Sequence, residues 1–458
     1  MGRQSAAQDL RDGTRAGTRG EAARLLRISV PLIINNLCGI GISVADAMMA
    51  GRVGPDALAG VAIGNSIWVP VWLLSIGFLV AVGPSVAHHY GAREFAEIGG
   101  VARQGVWLAL AIALLGCLIL AARDPLLAGL GVDSGTARIA SGYLGAMAFG
   151  VPGLMLYQVL RQTAEGSGHT LAVMGIGAAA LPVNVGVSYL FIFGKWGLPA
   201  YGAVGCGIGT AITFWLMLLA AAGYSAISPH FRAFCLWRRL EWPSGASQRA
   251  LLAIGAPIGL SLAMQTGMFS AVAVMLSRIS TRAIAAHQIT LSLSSLIFMV
   301  PLGIAMGATI LVGQARGAGD PNAARRVARV ALAMSFAAGC AGALLTLIAR
   351  NDMARLYSDD PAVVALAAQM LVFATILHMG DGFQVGINGS LRGHKDTRVP
   401  MFILAGSYWG VGFSVAYLMT HPLGFGPAGA WVGLGCCLWV AGGLLWRRLR
   451  VIEGGLAD

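Results

Sequence analysis

Residues 41–51 read GISVADAMMAG and lie within about twenty-five residues that otherwise have the composition of an apolar helix. An α-helix rises about 1.5 Å per residue, so a run of this length crosses a hydrocarbon layer of about 30 Å. Comparable apolar runs recur along the whole chain. The sequence therefore predicts a polytopic α-helical membrane protein, and the acidic residue in this run, Asp46, requires an explanation.

The composition supports this fold class and excludes several others. Of the 458 residues, 57% are hydrophobic and 11% are charged, against roughly 25% charged in a soluble domain. Residues 1–24 carry five arginines but have no apolar core, so we interpret them as a basic cytoplasmic tail and not as a signal peptide. The net charge of +12 comes from small basic groups between apolar runs, which does not indicate nucleic-acid binding. The seven cysteines lack metal-ligand spacing, and we expect no cofactor.

The distribution of basic residues predicts the orientation of the chain. Counted by side of the membrane, 23 Lys and Arg fall on the side of the termini and eight on the other. By the positive-inside rule, both termini are predicted to be cytoplasmic. The predicted spans are 27–50, 57–83, 100–121, 139–160, 171–193, 202–227, 251–276, 284–312, 327–348, 363–389, 399–420 and 428–446.

The chain contains an internal duplication. A shift of 226 residues aligns the first third with the second half without a gap, and identical residues coincide from Leu25 with Leu251 to Arg103 with Arg329. Because six spans is an even number, both copies enter the membrane in one orientation, related by a pseudo-two-fold axis along the membrane normal. We therefore expect two six-helix lobes, 25–227 and 251–447, joined by a cytoplasmic hinge loop, 228–250, and followed by a C-terminal tail, 448–458.

Two acidic residues break the symmetry of this duplication. Asp46 aligns with Val272, and Asp381 aligns with Leu154 on the best local match of the later spans. A carboxylate deep in a span costs about 2.5–3.5 kcal/mol on insertion scales, and such groups usually face a bundle interior or a water-filled cavity. The alternative, an acid that is paired or snorkels at a helix end, applies more readily to Asp46, which lies near the outer end of its span.

Polar residues at helical spacing accompany both acids. Ser43, Gly39 and Asn35 form a narrow stripe with Asp46, and Gln384 and Asn388 lie on the face of Asp381. These faces predict water-lined cavities. Four further residues could line the same spaces or could serve as packing residues between helices, and the sequence leaves both readings open: Asn184, Ser188, Ser261 and Gln265.

The charge state of the two acids suggests a coupling role. No lysine or arginine is predicted at the depth of either aspartate, so desolvation favours the protonated carboxyl unless a cation occupies the cavity. A carboxylate of this kind can hold a proton, a sodium ion or a cationic substrate, but not two of these at once.

The sequence resembles the multidrug and toxic compound extrusion (MATE) family, in its NorM-like bacterial branch, over residues 25–450. The resemblance rests on SVADAMMAG in the first span, GAVGCG at 202–207, AAHQI at 285–289, and GSLRGHKDT at 389–397 following MGDGFQV. It implies a twelve-helix antiporter with two lobes around a central cavity, which expels cationic and amphiphilic drugs against inward Na⁺ or H⁺ flow. Such a protein would lie in the bacterial inner membrane and contribute to antibiotic resistance, and we expect it to act as a monomer.

The resemblance also implies roles for particular residues. Asp46 corresponds to the family's first-span acid, Asn184 to a polar residue of the N-lobe cavity, and Asp381 to the tenth-span acid that binds the cation, here a candidate Na⁺ ligand. Gln265 stands where NorM-like relatives commonly carry a glutamate in the seventh span. Glutamine offers a carbonyl oxygen but no charge, which makes a sodium site like that of the relatives less expected. Asp381 is then the only carboxylate within the predicted spans of the C-lobe.

Other functions fit the sequence less well. A lipid-linked precursor flippase would favour a strongly cationic cavity, whereas the predicted spans contain acids and almost no internal Arg or Lys. An intramembrane enzyme would need a catalytic motif, and the chain contains no HExxH and no paired serine and histidine. We therefore expect a secondary active transporter. A channel is disfavoured by the asymmetric acids and the duplicated architecture.

Overall fold

The computed structural model describes residues 18–129, 131–197, 199–237 and 241–455. Within these ranges, twelve helices are long and apolar enough to cross a membrane, which confirms the twelve predicted spans. They are α1 (Thr18–Val53), α2 (Pro55–Gly91), α3 (Phe95–Ala121), α4 (Ser134–Gly166), α5 (Thr170–Phe193), α6 (Val204–Ile227), α7 (Gly245–Ser277), α8 (Thr281–Gly317), α9 (Pro321–Arg355), α10 (Pro361–Gly393), α11 (Arg398–Thr420) and α12 (Gly426–Gly454).

Three of these helices depart from regular α-helical geometry. α2 is interrupted by a turn at residues 80–81, and α12 begins with a 3₁₀ turn at Gly426–Ala428. The centre of α11 is π-helical over Gly406–Phe413. Apolar composition predicts that a segment spans the membrane but not its local helical geometry, so the π-helical segment was not predicted.

Several acids outside the apolar runs cap helices. Asp133, Asp320 and Asp360 precede α4, α9 and α10, and each accepts a hydrogen bond from a first-turn amide at 2.8–3.0 Å. Ser280 caps α8 in the same way. Such caps satisfy amide groups that have no partner inside the helix. These acids therefore have a structural explanation, which Asp46 and Asp381 in the helix interiors do not share.

Contacts within the chain divide it into two compact units. The N-unit comprises residues 34–259, and the C-unit comprises residues 18–33 together with 260–455. In the N-unit, α4 packs against α2, α3 and α6, and in the C-unit α10 packs against α8, α9 and α12. The unit boundaries differ from the sequence-based lobe limits because the first half of α1 packs in the C-unit and the first half of α7 packs in the N-unit.

The duplication appears in the contacts that these half-helices make. Gly77 of α2 packs against Gly259 of α7 in the N-unit, and Gly303 of α8 packs against Ile33 of α1 in the C-unit. Both members of the second pair lie 226 positions from a member of the first. The two copies therefore use equivalent positions of α2 and α8 for the close contact with α7 and α1, respectively.

The loop 228–250 was expected to act as a hinge. Its described part is hydrogen-bonded to α3 of the N-unit. Arg103 of α3 donates to the backbone oxygen of Cys235 at 2.8 Å and to Glu241 at 2.6 Å. The Trp107 indole donates to the backbone oxygen of Glu241 at 2.8 Å. Residues 238–240 lie outside the described ranges. These hydrogen bonds hold the start of α7 beside α3.

The loop also packs on the turn between α4 and α5. The rings of His169 and His230 lie 4.8 Å apart, and Phe231 packs on the same histidine. Burial, together with the neighbouring His230, lowers the pKa of His169 to about 4. His169 is therefore neutral near pH 7, as its apolar surroundings require.

Candidate functional site

Asp46 is buried inside the N-unit, where α1, α5 and α6 meet. Only 4% of its surface is exposed. Thr210 of α6 donates its hydroxyl to Asp46 Oδ2 at 2.7 Å, and Ser188 of α5 donates to Oδ1 at 3.4 Å. Asp46 is thus a hydrogen-bonded group of the helix interior, and the alternative of a side chain that snorkels at the helix end does not describe it.

A second layer of polar contacts holds these hydroxyls in place. Asn184 of α5 donates its amide to Thr210 Oγ1 at 3.0 Å, so Thr210 accepts from Asn184 and donates to Asp46. Asn184 and Ser188 have no exposed surface. The predicted residues Asp46, Asn184 and Ser188 are therefore brought together, and Thr210 joins them.

The glycine-rich motif at 202–207 explains how α6 comes this close. A side chain at Gly205 would collide with the backbone of Ile192, one at Gly207 would collide with Tyr143, and one at Gly209 would collide with Ser188. Small residues at helix contacts allow this approach in membrane proteins. The motif therefore has a packing role that places Thr210 against Asp46.

Asn35 lies on the same face of α1 but does not reach Asp46. Eleven residues separate the two, which is about 16 Å of helix. Asn35 is buried against α5, where a side chain at Gly177 would collide with its amide oxygen. It belongs to the polar face of α1 without joining the hydrogen-bonded group.

Asp381 is buried inside the C-unit in a different environment. It lies in α10 with 7% of its surface exposed, and it has no hydrogen-bond or ion-pair partner among the described residues. Gln384 and Asn388, on the same face of α10, are also buried, and their side chains have no partner within those ranges. The polar atoms of these three side chains are not among the fully enclosed atoms without a partner, so they retain accessible surface that water or a cation can contact.

Four glycines of α10 form the face of the helix that packs closely against α8 and α9. Gly382 and Gly386 pack against Ser335 of α9, and Gly389 and Gly393 pack against α8 at Ala305 and Val312. These four glycines form one close-packed face. The polar residues Asp381, Gln384 and Asn388 lie at other positions around the helix, away from these contacts with α8 and α9.

The remaining predicted residues of this unit lie on α7. Ser261 is buried and Gln265 is half-buried. No hydrogen bond joins Gln265 to Asp381 within the part of the chain that the structure describes. The structure therefore places Ser261 and Gln265 in the C-unit without linking Gln265 to the carboxylate.

Thr210, which donates its hydroxyl to Asp46, was not predicted from the sequence. Tyr143, which is also buried in the N-unit, donates its hydroxyl to Asn65 at 2.9 Å. Hydroxyl-bearing residues are common in these helices, and only tertiary packing determines which of them reach a carboxylate.

The two carboxylates differ in what they can bind. Hydroxyl donors stabilise the negative charge of Asp46, whereas no described group donates to Asp381, and the amides of Gln384 and Asn388 on the same helix face offer both oxygens and N–H groups. Hard cations prefer oxygen ligands. The described residues contain no cluster of three or more His, Cys, Asp or Glu that could hold a metal ion. A cation at Asp381 would therefore rely on one carboxylate and neutral oxygens.

Twelve spanning helices in duplicated halves, with Asp46 buried in the N-unit and Asp381 in the C-unit, are the architecture of a polytopic membrane transporter. The family model MatE matches residues 31–190 and 257–418, one match in each half. The chain belongs to the MATE family, which confirms the resemblance drawn from the sequence motifs.

Individual relatives agree with this assignment. The chain is 38% identical over 421 residues to multidrug resistance protein PmpM of Pseudomonas aeruginosa, covering 91% of this chain and 88% of PmpM. It is 36% identical over 438 residues to probable multidrug resistance protein NorM of Shewanella oneidensis, covering 94% and 95%. A solved outward-facing multidrug resistance MATE family transporter matches with a TM-score of 0.89 at 18% identity, covering 98% of both chains, which shows the shared fold.

Proposed function

We propose that the chain is a cation-coupled antiporter that exports cationic and amphiphilic compounds by alternating access, driven by Na⁺ or H⁺. The observation that carries this proposal is Asp381, a buried carboxylate with no partner among the described residues. A buried charge without a partner is unfavourable, so the group binds a proton or a cation. The multidrug resistance names of the relatives support the export of drugs.

Coupling follows from competition for the carboxylates. A cation that neutralises Asp381 or Asp46 removes the attraction for a positively charged drug, and a bound drug excludes the cation. The membrane potential supplies about 2.3 kcal/mol per charge per 100 mV, to which the ion gradient adds. Net export then requires that the carboxylates be exposed in turn to the two sides of the membrane.

The location and orientation of the transporter are part of the proposal. The arginine bias supports an insertion in the bacterial inner membrane with both termini in the cytoplasm. In this orientation, the loop from α6 to α7 and the start of α1 face the cytoplasm. Export therefore moves a drug towards the side that holds the short connection between α7 and α8.

Purified protein in vesicles tests the proposal and identifies the cation. Export of the fluorescent cation ethidium is measured with a Na⁺ gradient alone, a pH gradient alone, or neither. We expect one gradient to drive export and its dissipation to stop it. Equal ethidium movement under all three conditions would contradict coupled antiport.

The hydrogen bond from Thr210 to Asp46 gives a more local prediction. Thr210→Val removes a hydroxyl that donates to a carboxylate, a contribution of about 1.5–3 kcal/mol. We expect at least a tenfold loss of gradient-driven export, with Thr210→Ser close to wild type. Thr213→Val is the matched control because its hydroxyl bonds only to the backbone of Gly209, within α6. Equal rates for Thr210→Val and Thr213→Val would show that the bond to Asp46 has no part in transport.

A further inference from the structure

The loop between α6 and α7 presents two tryptophans on the surface of the N-unit. Trp242 is 84% exposed and Trp237 is 63% exposed. The indole is among the largest apolar side-chain groups, and exposed apolar groups that adjoin one another mark a site of contact. The surface around these indoles indicates what they contact.

Hydrogen bonds fix the position of Trp242. The side chain of Gln104, in α3, donates to the backbone oxygen of Trp242 at 3.0 Å and accepts from the backbone amide of Ser244 at 2.9 Å. The Trp242 indole also stacks on the Trp107 indole, with ring centroids 6.1 Å apart and an interplanar angle of 10°. The loop therefore holds this exposed indole in a defined position against α3.

Trp242 extends an apolar face of α3. Three leucines lie on the face of Trp107 at helical spacing, and all of them are exposed: Leu110, Leu114 and Leu118. Between Trp107 and Leu118 this face covers about 16 Å of helix. An exposed apolar face of this length on a spanning helix is a surface for lipid chains.

The same face becomes charged one turn before Trp107. Arg103 lies four residues earlier in α3 and forms an ion pair with Glu241 at 2.6 Å, and Glu241 immediately precedes Trp242. The stacked indoles thus mark the boundary between the apolar part of the face and the charged part. Tryptophan is enriched at the corresponding level of a membrane, where lipid headgroups meet the hydrocarbon.

The charge of the loop favours one class of headgroup. Residues 228–250 contain four arginines and one acid, Glu241, which is paired with Arg103. Two of these arginines, Arg232 and Arg249, are exposed and form no ion pair within the part of the chain that the structure describes. Basic residues beside a spanning helix attract anionic phospholipids.

We infer that the loop between α6 and α7, together with the Trp107 face of α3, binds a phospholipid with an anionic headgroup. An acyl chain lies along the leucines of α3, and the indoles of Trp242 and Trp237 lie at the level of the glycerol. Arg232 and Arg249 attract the charge of the headgroup. This lipid site is independent of the cation that drives export.

Fluorine NMR of the full-length protein tests this inference. Fluorotryptophan replaces the eleven tryptophans, and Trp242→Phe and Trp237→Phe each identify one resonance. The protein is placed in phosphatidylcholine nanodiscs with a small fraction of phosphatidylglycerol or phosphatidylcholine that carries a spin label on the acyl chain near the glycerol. We expect labelled phosphatidylglycerol to broaden the Trp242 and Trp237 resonances about two- to fivefold more than labelled phosphatidylcholine.

Matched controls come from the same chain. Trp431 has no exposed surface, and its resonance should respond equally to the two lipids. Arg232→Gln combined with Arg249→Gln should lower the preference for phosphatidylglycerol at Trp242 by about twofold or more. Arg138→Gln combined with Arg278→Gln removes the same charge from exposed residues on the predicted opposite side of the membrane, and the preference should remain.

Two results would overturn the inference. One is equal broadening of the Trp242 resonance by the two labelled lipids, and the other is an unchanged preference in the variant that lacks Arg232 and Arg249. Both results leave the proposed export function standing, because vesicle transport under imposed gradients tests that function separately.

Discussion

Asparagine in place of Asp381 is expected to abolish cation-driven export while the protein remains folded. Asparagine has nearly the same shape as aspartate but cannot bind a proton and carries no charge for a cation. Because no described group donates to Asp381, the substitution takes no acceptor away from an existing donor. Losing one coupled charge removes about 2.3 kcal/mol per 100 mV, which lowers the drug accumulation ratio about fiftyfold at that potential.

Two measurements check this prediction. Ethidium export is followed in vesicles with an imposed potential and cation gradient, and folding is followed by the melting temperature of the purified protein. Asp359→Asn is the matched control, since Asp359 is exposed at the connection between α9 and α10. Full gradient-driven export by Asp381→Asn would rule out the coupling role, and a melting temperature well below that of the control would contradict the unpaired environment.

Asp46→Asn changes hydrogen bonding as well as charge. An asparagine amide would face the Thr210 hydroxyl that now donates to Asp46 Oδ2 at 2.7 Å. Its NH₂ group cannot accept that bond, so the amide oxygen must face Thr210 and the NH₂ group must face Ser188, whose hydroxyl then accepts where it now donates. Loss of export in Asp46→Asn therefore combines lost charge with altered packing, whereas Asp381→Asn isolates the charge.

Hydropathy predicted the spans, and a charge within an apolar run singled out each of the two carboxylates. Both signals are strong because a charge inside a membrane span costs free energy. A charge such as Asp46 or Asp381 inside an apolar run is visible in the sequence without any knowledge of contacts. The partners of these charges are not visible in this way. Thr210 has a neutral side chain of an ordinary type for such helices, and its position depends on glycines that determine how closely neighbouring helices approach.

The limits of the two units were also beyond the reach of the sequence. The duplication predicted that the second copy begins near Leu251, where the repeat begins. Contacts instead place residues 251–259 in the N-unit and residues 18–33 in the C-unit. The repeat in the sequence shows which segments share an origin, whereas the unit limits depend on which surfaces pack together. Here the first halves of α1 and α7 each pack in the unit of the other copy, and this exchange leaves the sequence repeat unchanged.

The glycine contact that seats α7 gives the largest expected effect on folding. A Cβ at Gly77 would lie 2.8 Å from the amide nitrogen of Gly259 and closer still to its Cα. Both atoms are backbone, so neither can yield by rotation of a side chain, and α2 must separate from α7. We expect Gly77→Leu to cost about 3 kcal/mol or more and to lower the melting temperature by roughly 6–12 °C.

Comparison with two other glycines makes this prediction specific to the contact. Gly175→Leu in α5 places the same side chain where no atom lies within 4 Å, and its melting temperature should not fall. Gly303 is the duplicated counterpart of Gly77, but a Cβ there meets first a side-chain atom, Cγ1 of Ile33, and the nearest backbone atom lies at 3.1 Å, so Gly303→Leu should be milder. Gly77→Ala should show most of the loss, because the Cβ itself overlaps. Equal melting temperatures for Gly77→Leu and Gly175→Leu would mean that α2 does not seat the first half of α7.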